Sequence, residues 1–238
     1  MYRPTLWKLI LSLGLVAALL VLALSACGGG GGEEQAKTKE QAKAKEQAKA
    51  HPLPMFEEDL RPGEYHSVEF EPSLSFSVGK DWQTTGPELS DLVELAYQGE
   101  TGFIRFANIK EVYKPGTRTL MKAPNDLAGW LQDHPYLKTS KPEPVTVGEA
   151  KGEQFDVLVE TLPQDYRGMC GSECVDIASL SSGQAGIAFL EPYKRRVIIL
   201  EDVKGDRVYL DISSPIDAFD EYTPEAQKVL DTVKWDGS

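Results

Sequence analysis

From residue 51 onward the chain consists of short apolar stretches with a period of two, separated by turns rich in glycine and polar residues. Such alternation over four to eight residues is typical of strands that bury one face. The clearest stretch is 74–78, where leucine, phenylalanine and valine alternate with serine. Four pairs of stretches flank tight turns and predict hairpins: 92–97 with 103–109, 145–147 with 155–159, 174–180 with 186–190, and 197–200 with 208–212. We expect an antiparallel sheet, because parallel neighbours need long crossover connections.

Two segments place apolar residues at spacings of three and four, which predicts helices. The first begins at Pro124 and ends near Asp133, and the second begins with Thr223 as N-cap and Pro224 in the first helical position. Their apolar faces consist of Leu127, Trp130 and Leu131 in the first helix, and Ala226, Val229 and Leu230 in the second. Helices packed on a meandering sheet define an α+β domain.

The N-terminus has the pattern of a secretory signal peptide. Arg3 and Lys8 precede an uncharged, strongly apolar run over residues 9–26. The run ends in Leu-Ser-Ala-Cys27, which resembles the lipobox of bacterial lipoproteins and implies a diacylglycerol thioether on Cys27 after cleavage of the Ala26–Cys27 bond. We therefore expect a lipid anchor in the cell membrane and an extracytoplasmic domain. The alternative is an uncleaved membrane helix, because a run of about 18 apolar residues is the lower limit for spanning.

Residues 27–50 predict a linker between anchor and domain. Five glycines, Gly28 to Gly32, precede a six-residue repeat that begins with Glu34, Glu40 and Glu46. Each repeat places Glu three residues before Lys, which supports an isolated helix, but it has no apolar stripe to bury. A partly helical or disordered stalk is expected. A membrane-binding basic segment is the alternative. The predicted division is a signal peptide over 1–26, a linker over 27–50 and a domain over 51–238.

The net charge of -12 is uneven along the chain. Without the leader and the linker, residues 51–238 keep 33 acidic and 18 basic residues, so that the domain carries about -15. Such acidity argues against nucleic acid as a partner, since phosphates are bound by Lys and Arg. A domain of this size can bury a sufficient hydrophobic core without metals or many disulfides, so no cofactor is needed to explain the fold.

Three runs of the domain carry a family resemblance. They read Phe70-x-Pro-x-Leu-x-Phe-x-Val-x-x-x-Trp82, Pro124-x-Asp-Leu-x-x-Trp-Leu-x-x-His-Pro135 and Val229-Leu-Asp-Thr-Val-x-Trp235. Together they resemble the PsbP-like domains of bacterial surface lipoproteins, including the LpqN-like group, over roughly residues 66 to 237. The resemblance implies an α/β/α sandwich around a central antiparallel sheet, a fold used mainly for binding and accessory roles. Its positions are packing positions, and fold alone does not carry function.

Cys170 and Cys174 are the sharpest local feature of the domain. In an exported protein two cysteines four apart favour a disulfide. A redox-active pair would have one residue fewer between the cysteines, and a zinc site would need two further ligands. His51 and His66 are not paired at ligand spacing, and His134, before a proline at a helix end, is interpreted as a C-terminal cap.

Two further groups of residues favour ordinary structural roles. Acidic clusters occur at 57–59, 201–202 and 217–221, without the alternation of a calcium loop, and are interpreted as solvated faces. Trp82, Trp130 and Trp235 are interpreted as core aromatics, with a ligand cleft as the alternative.

The leading functional hypothesis is a non-enzymatic, lipid-anchored protein with a binding or accessory role towards an envelope protein. One alternative is a carrier of a lipid or small molecule, which an enclosed apolar pocket would favour. Another is an envelope enzyme with an unfamiliar site, which convergent His, Ser and carboxylate groups would favour. A flat acidic or aromatic patch would favour a protein partner.

Overall fold

The structure is a computed structural model that describes residues 50–160, 162–164, 166, 168, 174–181 and 186–236. The strands of the first half of this part are β1 (His51–Pro52), β2 (Asp59–Leu60), β3 (Gly63–His66), β4 (Leu74–Val78), β5 (Trp82–Thr84), β6 (Leu92–Tyr97), β7 (Gly102–Ala107), β8 (Glu111–Tyr113) and β9 (Leu120–Lys122). The later strands are β10 (Leu137–Thr139), β11 (Glu143–Val147), β12 (Ala150–Val159), β13 (Cys174–Ser179), β14 (Gly186–Leu190), β15 (Tyr193–Val203), β16 (Asp206–Pro215) and β17 (Lys234–Trp235). The helices are α1 (Leu127–Gln132) and α2 (Phe219–Leu230).

The predicted α+β class, an α/β/α sandwich with helical layers, is wrong. Strands hold 50% of the described residues and helices hold 10%, so the protein is a β-rich fold of three sheets. The helices do not form the layers of a sandwich. Helix α1 is only six residues long, and each helix shares its side of the central sheet with a smaller sheet.

All four predicted hairpins are confirmed. The antiparallel pairs are β6 with β7, β11 with β12, β13 with β14, and β15 with β16. Most of them belong to a nine-stranded sheet in the order β10-β12-β15-β16-β7-β6-β5-β2, with β11 beside β12. Two four-stranded sheets, β1-β3-β4-β17 and β14-β13-β8-β9, accompany it.

The nine-stranded sheet separates two hydrophobic cores. Alternation along β16 shows how: Val208, Leu210 and Ile212 belong to one core, whereas Tyr209 belongs to the other. The first core also contains the apolar face of α2 and residues of β3, β4 and β17. The second contains the apolar face of α1 and residues of β8, β13 and β14. Because alternate residues belong to opposite cores, both faces of this sheet are covered by apolar side chains.

Both helices begin at different residues from those predicted. Asp126 is the N-cap of α1 and accepts a hydrogen bond from the Gly129 amide at 2.7 Å, so the helix starts after Pro124. Helix α2 starts earlier, and Pro224 lies inside it. Burial of Phe219 and Tyr222 extends the apolar face by one turn towards the N-terminus, which outweighs the local capping pattern.

Candidate functional site

The predicted covalent sites lie largely outside the described residues. Cys27 and Cys170 are both outside them, so the lipid anchor and the disulfide stay predictions. Cys174 is the first residue of β13 and is fully buried, with its Sγ 4.0 Å from Oδ1 of Asp176. The signal peptide and the stalk also lie outside the described residues.

His134 is a buried imidazole in an aromatic cluster, rather than the helix cap that was predicted. Its ring centroid lies 5.3 Å from that of Trp130 and 5.8 Å from that of Tyr136. Nδ1 accepts a hydrogen bond from the Tyr136 amide at 3.4 Å, and Nε2 is buried and has no hydrogen-bond partner among the described residues. Burial lowers the pKa of His134 to about 4, because the charged imidazolium is poorly solvated there. The imidazole is neutral at pH 7 and packs as an aromatic ring.

The tryptophan interpretation is confirmed for core packing. Trp82 and Trp235 are buried in the first core, and Trp130 packs against the second. The Trp235 indole donates a hydrogen bond to the Val147 carbonyl at 2.9 Å, so its polar group is satisfied inside the fold. Trp235 also lines an open cleft of about 870 Å³ between the β11–β12 and β15–β16 turns and the end of α2.

The acidic clusters lie at the surface, as predicted. Glu201 and Asp202 are exposed at the end of β15, and Asp217, Asp220 and Glu221 are exposed at the start of α2. Among the described residues, no group of three or more His, Cys, Asp or Glu side chains has the arrangement of a metal site. In the same part of the chain, no helix is long and apolar enough to cross a membrane.

The cluster at 57–59 adjoins an exposed apolar surface. The side chains of Met55, Phe56 and Val68 are 75%, 77% and 61% exposed, far more than such residues usually are. We call these three residues, with the segments 50–60, 67–73 and 85–91 that surround them, the N-terminal patch.

Backbone pairing brings the parts of the N-terminal patch together. Strands β1 and β3 are parallel, and the Leu53 amide donates to the His66 carbonyl at 3.0 Å, so both segments leave the sheet in the same direction. The Thr84 hydroxyl donates to the Phe56 carbonyl at 2.8 Å and accepts from the Glu58 amide at 3.1 Å. Thr84 ends β5, and the segment 85–91 follows it directly.

One carboxylate fixes the loop that carries Val68. Oε1 of Glu88 accepts hydrogen bonds from three consecutive amides, those of Val68, Glu69 and Phe70, at 3.0, 3.0 and 2.7 Å. Oε2 also accepts from the Val68 amide at 2.9 Å. Three converging N–H groups form an anion-binding concavity, which here is filled by a side chain of the same chain. The exposed Val68 is therefore held in place by charge-assisted hydrogen bonds.

The charge of the N-terminal patch has one sign. Its three segments contain seven acidic residues and neither Lys nor Arg. Five of the seven are exposed: Glu57, Glu58, Asp59, Glu69 and Glu71. The arrangement is an apolar contact area with a rim of carboxylates.

A second charged group lies inside the fold, between the nine-stranded sheet and β14. Arg195 donates from Nη1 to Oδ1 of Asp211 at 3.0 Å and from Nη2 to the Ala188 carbonyl at 3.0 Å. The Tyr209 hydroxyl donates to Oδ2 of Asp211 at 2.9 Å, and Arg105 approaches the same oxygen at 3.6 Å. Burial, then the charge of Asp211, raises the pKa of Tyr209 well above its ordinary value. The phenol stays protonated and serves as a donor.

Arg105 links this group to a carboxylate nearer the surface. Arg105 and Glu94 are paired in register on β7 and β6, and Nε of Arg105 donates to Oε2 of Glu94. Burial alone would lower the pKa of Arg105, but the charges of Asp211 and Glu94 outweigh it and raise the pKa. Arg105 therefore stays charged. With Glu94 included, the group joins four neighbouring strands, β15, β16, β7 and β6, rather than lining a cleft.

Two comparisons with known proteins were negative. The chain matches no known family model, and no curated protein matches it.

Sequence reasoning missed several of these residues. A Met-Phe pair between a proline and three acidic residues was a signal for an exposed apolar turn at 55–56. Asp211 also stood out in the sequence, because it is the single charged residue in the apolar stretch 208–212. Nothing in the local sequence indicated that Glu88 binds amides that lie about 20 residues earlier in the chain.

Proposed function

We propose that the protein is a bacterial membrane lipoprotein, held on the extracytoplasmic face by lipid on Cys27, with a non-catalytic binding or accessory role. The export signal and the Cys27 motif support this address, and the glycine run and the Glu-Gln-Ala-Lys repeats support a spacer. A relationship to the PsbP-like lipoproteins belongs to the same proposal, and it rests on the packing motifs alone.

The N-terminal patch is the proposed binding surface, and its partner is a protein that surrounds an apolar pocket with Lys and Arg. The observation that carries this is the exposure of Met55, Phe56 and Val68 within a surface that has only acidic charges. Exposed aromatic and methionine side chains are typical anchors of protein interfaces. The carboxylate rim selects a cationic partner and speeds its approach, while it repels anionic lipid surfaces.

Site-specific photo-crosslinking in intact envelopes tests the surface. A crosslinker at position 56 is expected to capture a basic protein, and the adduct is expected to disappear when Glu57 and Glu58 are both changed to Lys. A crosslinker at Leu120, which is also exposed but lies outside the patch, is the matched control. Equal adducts from positions 56 and 120, or adducts that survive the charge reversal, would contradict the proposed partner.

The anchor is tested separately. Cys27→Ala is expected to abolish labelling by a radioactive fatty acid and to move the chain out of the washed membrane fraction, because two acyl chains are needed for stable anchoring. Unchanged labelling of Cys27→Ala would overturn the lipoprotein assignment without affecting the patch.

A carrier of a small polar molecule is the second candidate. The 870 Å³ cleft is open and has a charged rim, so it fits a small polar ligand and not the lipid that an enclosed apolar pocket would favour. Its floor is apolar, with Val203, Leu230 and Trp235, and its rim carries charges of both signs. Ligand-dependent change of the Trp235 indole signal in NMR spectra tests this function. A Trp235 signal that stays constant across a library of small zwitterionic molecules would count against it.

A further inference from the structure

A cleft with positive charge lies on this acidic domain. It has a volume of about 460 Å³ and lies between the β7–β8 connection, the β9–α1 connection and the start of β16. Lys110, Lys122 and Arg207 line it, and the buried side chains of Ile109 and Ala123 lie beneath them. Three cationic residues thus line one cleft in a domain whose overall charge is about -15.

Two acidic residues are placed closest to the three cations. Asp206 is the one carboxylate among the residues that line the cleft. Glu111 faces Lys122 in register across β8 and β9. Within the described part of the chain, however, neither Lys110 nor Lys122 forms an ion pair with a carboxylate. Both lysines are exposed, and their charges are available to a ligand.

Arg207 is already held in position. Its Nη1 donates to the carbonyls of Pro124 and Asn125 at 2.8 and 2.7 Å, which ties the start of β16 to the segment before α1. These acceptors are neutral, so they orient the guanidinium without cancelling its charge. A guanidinium has five N–H donors in a fixed fork, and the donors that remain suit the oxygens of a planar or tetrahedral anion.

The backbone segments that carry the two lysines are also joined. The Ala123 amide donates to the Lys110 carbonyl at 2.9 Å, and β8 pairs with β9 immediately beside this contact. The two ammonium groups therefore extend from neighbouring backbones that are joined by hydrogen bonds. Because the two backbones are held together, less entropy is lost when both ammonium groups bind one anion than if the lysines lay on a mobile loop.

We propose that this cleft binds a phosphate group through Lys110, Lys122 and Arg207. A phosphate monoester supplies up to two charges and three acceptor oxygens, which match one guanidinium and two ammonium groups. The proposal is independent of the partner proposed for the N-terminal patch, since it uses different residues and the opposite charge.

Titration of the full-length chain in neutral detergent tests the site. Inorganic phosphate and glycerol 1-phosphate are the probes, and binding is followed by calorimetry at low ionic strength. Lys110→Gln and Lys122→Gln are each expected to raise the dissociation constant about tenfold, because each removes a charge-assisted hydrogen bond. Glu111→Gln is expected to lower it, because it removes a competing carboxylate. Lys151→Gln, at an exposed lysine outside the cleft, is the matched control.

The source of the phosphate is distinguished by a third probe. Dihexanoyl phosphatidylglycerol, below its micelle concentration, presents a phosphodiester with one charge. Tighter binding of the monoesters indicates a soluble ligand or a polymer end group, and tighter binding of the diester indicates a lipid headgroup. Absence of saturable binding of all three probes, or equal effects of Lys110→Gln and Lys151→Gln, would overturn the site. Arg207 is left unchanged throughout, because its contacts with Pro124 and Asn125 also support the fold.

Discussion

Arg195 and Asp211 form an ion pair on the neighbouring strands β15 and β16, with 3.0 Å between Nη1 and Oδ1, and both side chains are almost completely buried. Water cannot replace either partner at this depth, so each charge depends on the other. The Tyr209 hydroxyl and Arg105 contribute further contacts to the same carboxylate.

Removing the charge of Asp211 is therefore expected to be severe. Asp211→Asn keeps the shape and an acceptor for Tyr209, but it leaves Arg195 without a counter-charge. The free energy of unfolding is expected to fall by about 3 to 5 kcal/mol. Urea denaturation measures it. Glu225→Gln is the control, because it breaks the Glu225–Lys228 pair, in which the lysine side chain is 69% exposed, and should cost about 0.5 kcal/mol or less. A similar small loss for Asp211→Asn would contradict the assigned role.

The buried imidazole of His134 predicts a loss of stability in acid. The pKa is lowered to about 4 in the fold and rises to its ordinary value of 6.5 on unfolding, so the unfolded chain binds the proton more readily between these values. Stability is fully present above pH 6.5 and is lost as the pH falls towards about 4, by roughly 3 kcal/mol in total. Denaturation curves measured across this range provide the test.

A matched pair of variants isolates this effect. His134→Phe keeps an aromatic ring beside Trp130 and Tyr136 and should flatten the pH dependence between pH 4 and 6.5. His51→Gln removes an exposed imidazole and should leave the slope unchanged. An unchanged slope in His134→Phe would show that another group titrates in this range.

The Glu88 carboxylate is expected to hold the loop of the N-terminal patch. Glu88→Ala removes the acceptor of three amides, one of which belongs to the buried Phe70, and should lower the free energy of unfolding by about 1 to 2 kcal/mol. Hydrogen exchange at the amides of Val68, Glu69 and Phe70 should become faster. Glu88→Gln, which keeps one acceptor oxygen, should lose less, and Glu69→Ala should change neither quantity.

Gly148 is required by the position of Trp235. Its φ is +55°, and a Cβ there would lie 2.8 Å from the Trp235 indole and from the Val233 carbonyl oxygen. Gly148→Ala is expected to lower the free energy of unfolding by more than 2 kcal/mol and to shift the Trp235 indole signal. Gly99 is the control that separates backbone strain from the clash with Trp235, because its φ is +63° but the space around it is open. Gly99→Ala should cost only the backbone term, about 1 kcal/mol. Equal losses would show that contact with Trp235 is unimportant.

The hairpins were predictable because the alternating pattern and the short turn that produce each hairpin lie within a few residues of each other in the sequence. Val208 to Ile212 alternates on β16, and the turn beside it is short, so neighbouring residues alone determine the pairing. The partition into three sheets was not predictable in this way. It depends on contacts between distant segments, such as β4 with β17, which lie more than 150 residues apart.

The errors at the candidate sites come from packing that capping and composition rules do not describe. His134 has the sequence position of a helix cap, but its ring packs against Trp130 of α1 and against Tyr136, which directly precedes β10. Conversely, Met55 and Phe56 are apolar residues that the fold leaves uncovered. Composition predicted the acidity of the surface, whereas the cationic cleft joins Lys110, Lys122 and Arg207 from three separate segments.

The nine-stranded sheet also determines how the domain melts. Along β15, Ile198 and Leu200 pack into one core while Val197 and Ile199 pack into the other, so both cores share one wall. Neither core can lose this wall without exposing the second to water. The domain is thus expected to unfold in a single calorimetric transition, with no stable half. Neither side is expected to resist proteolysis until the shared strands are complete.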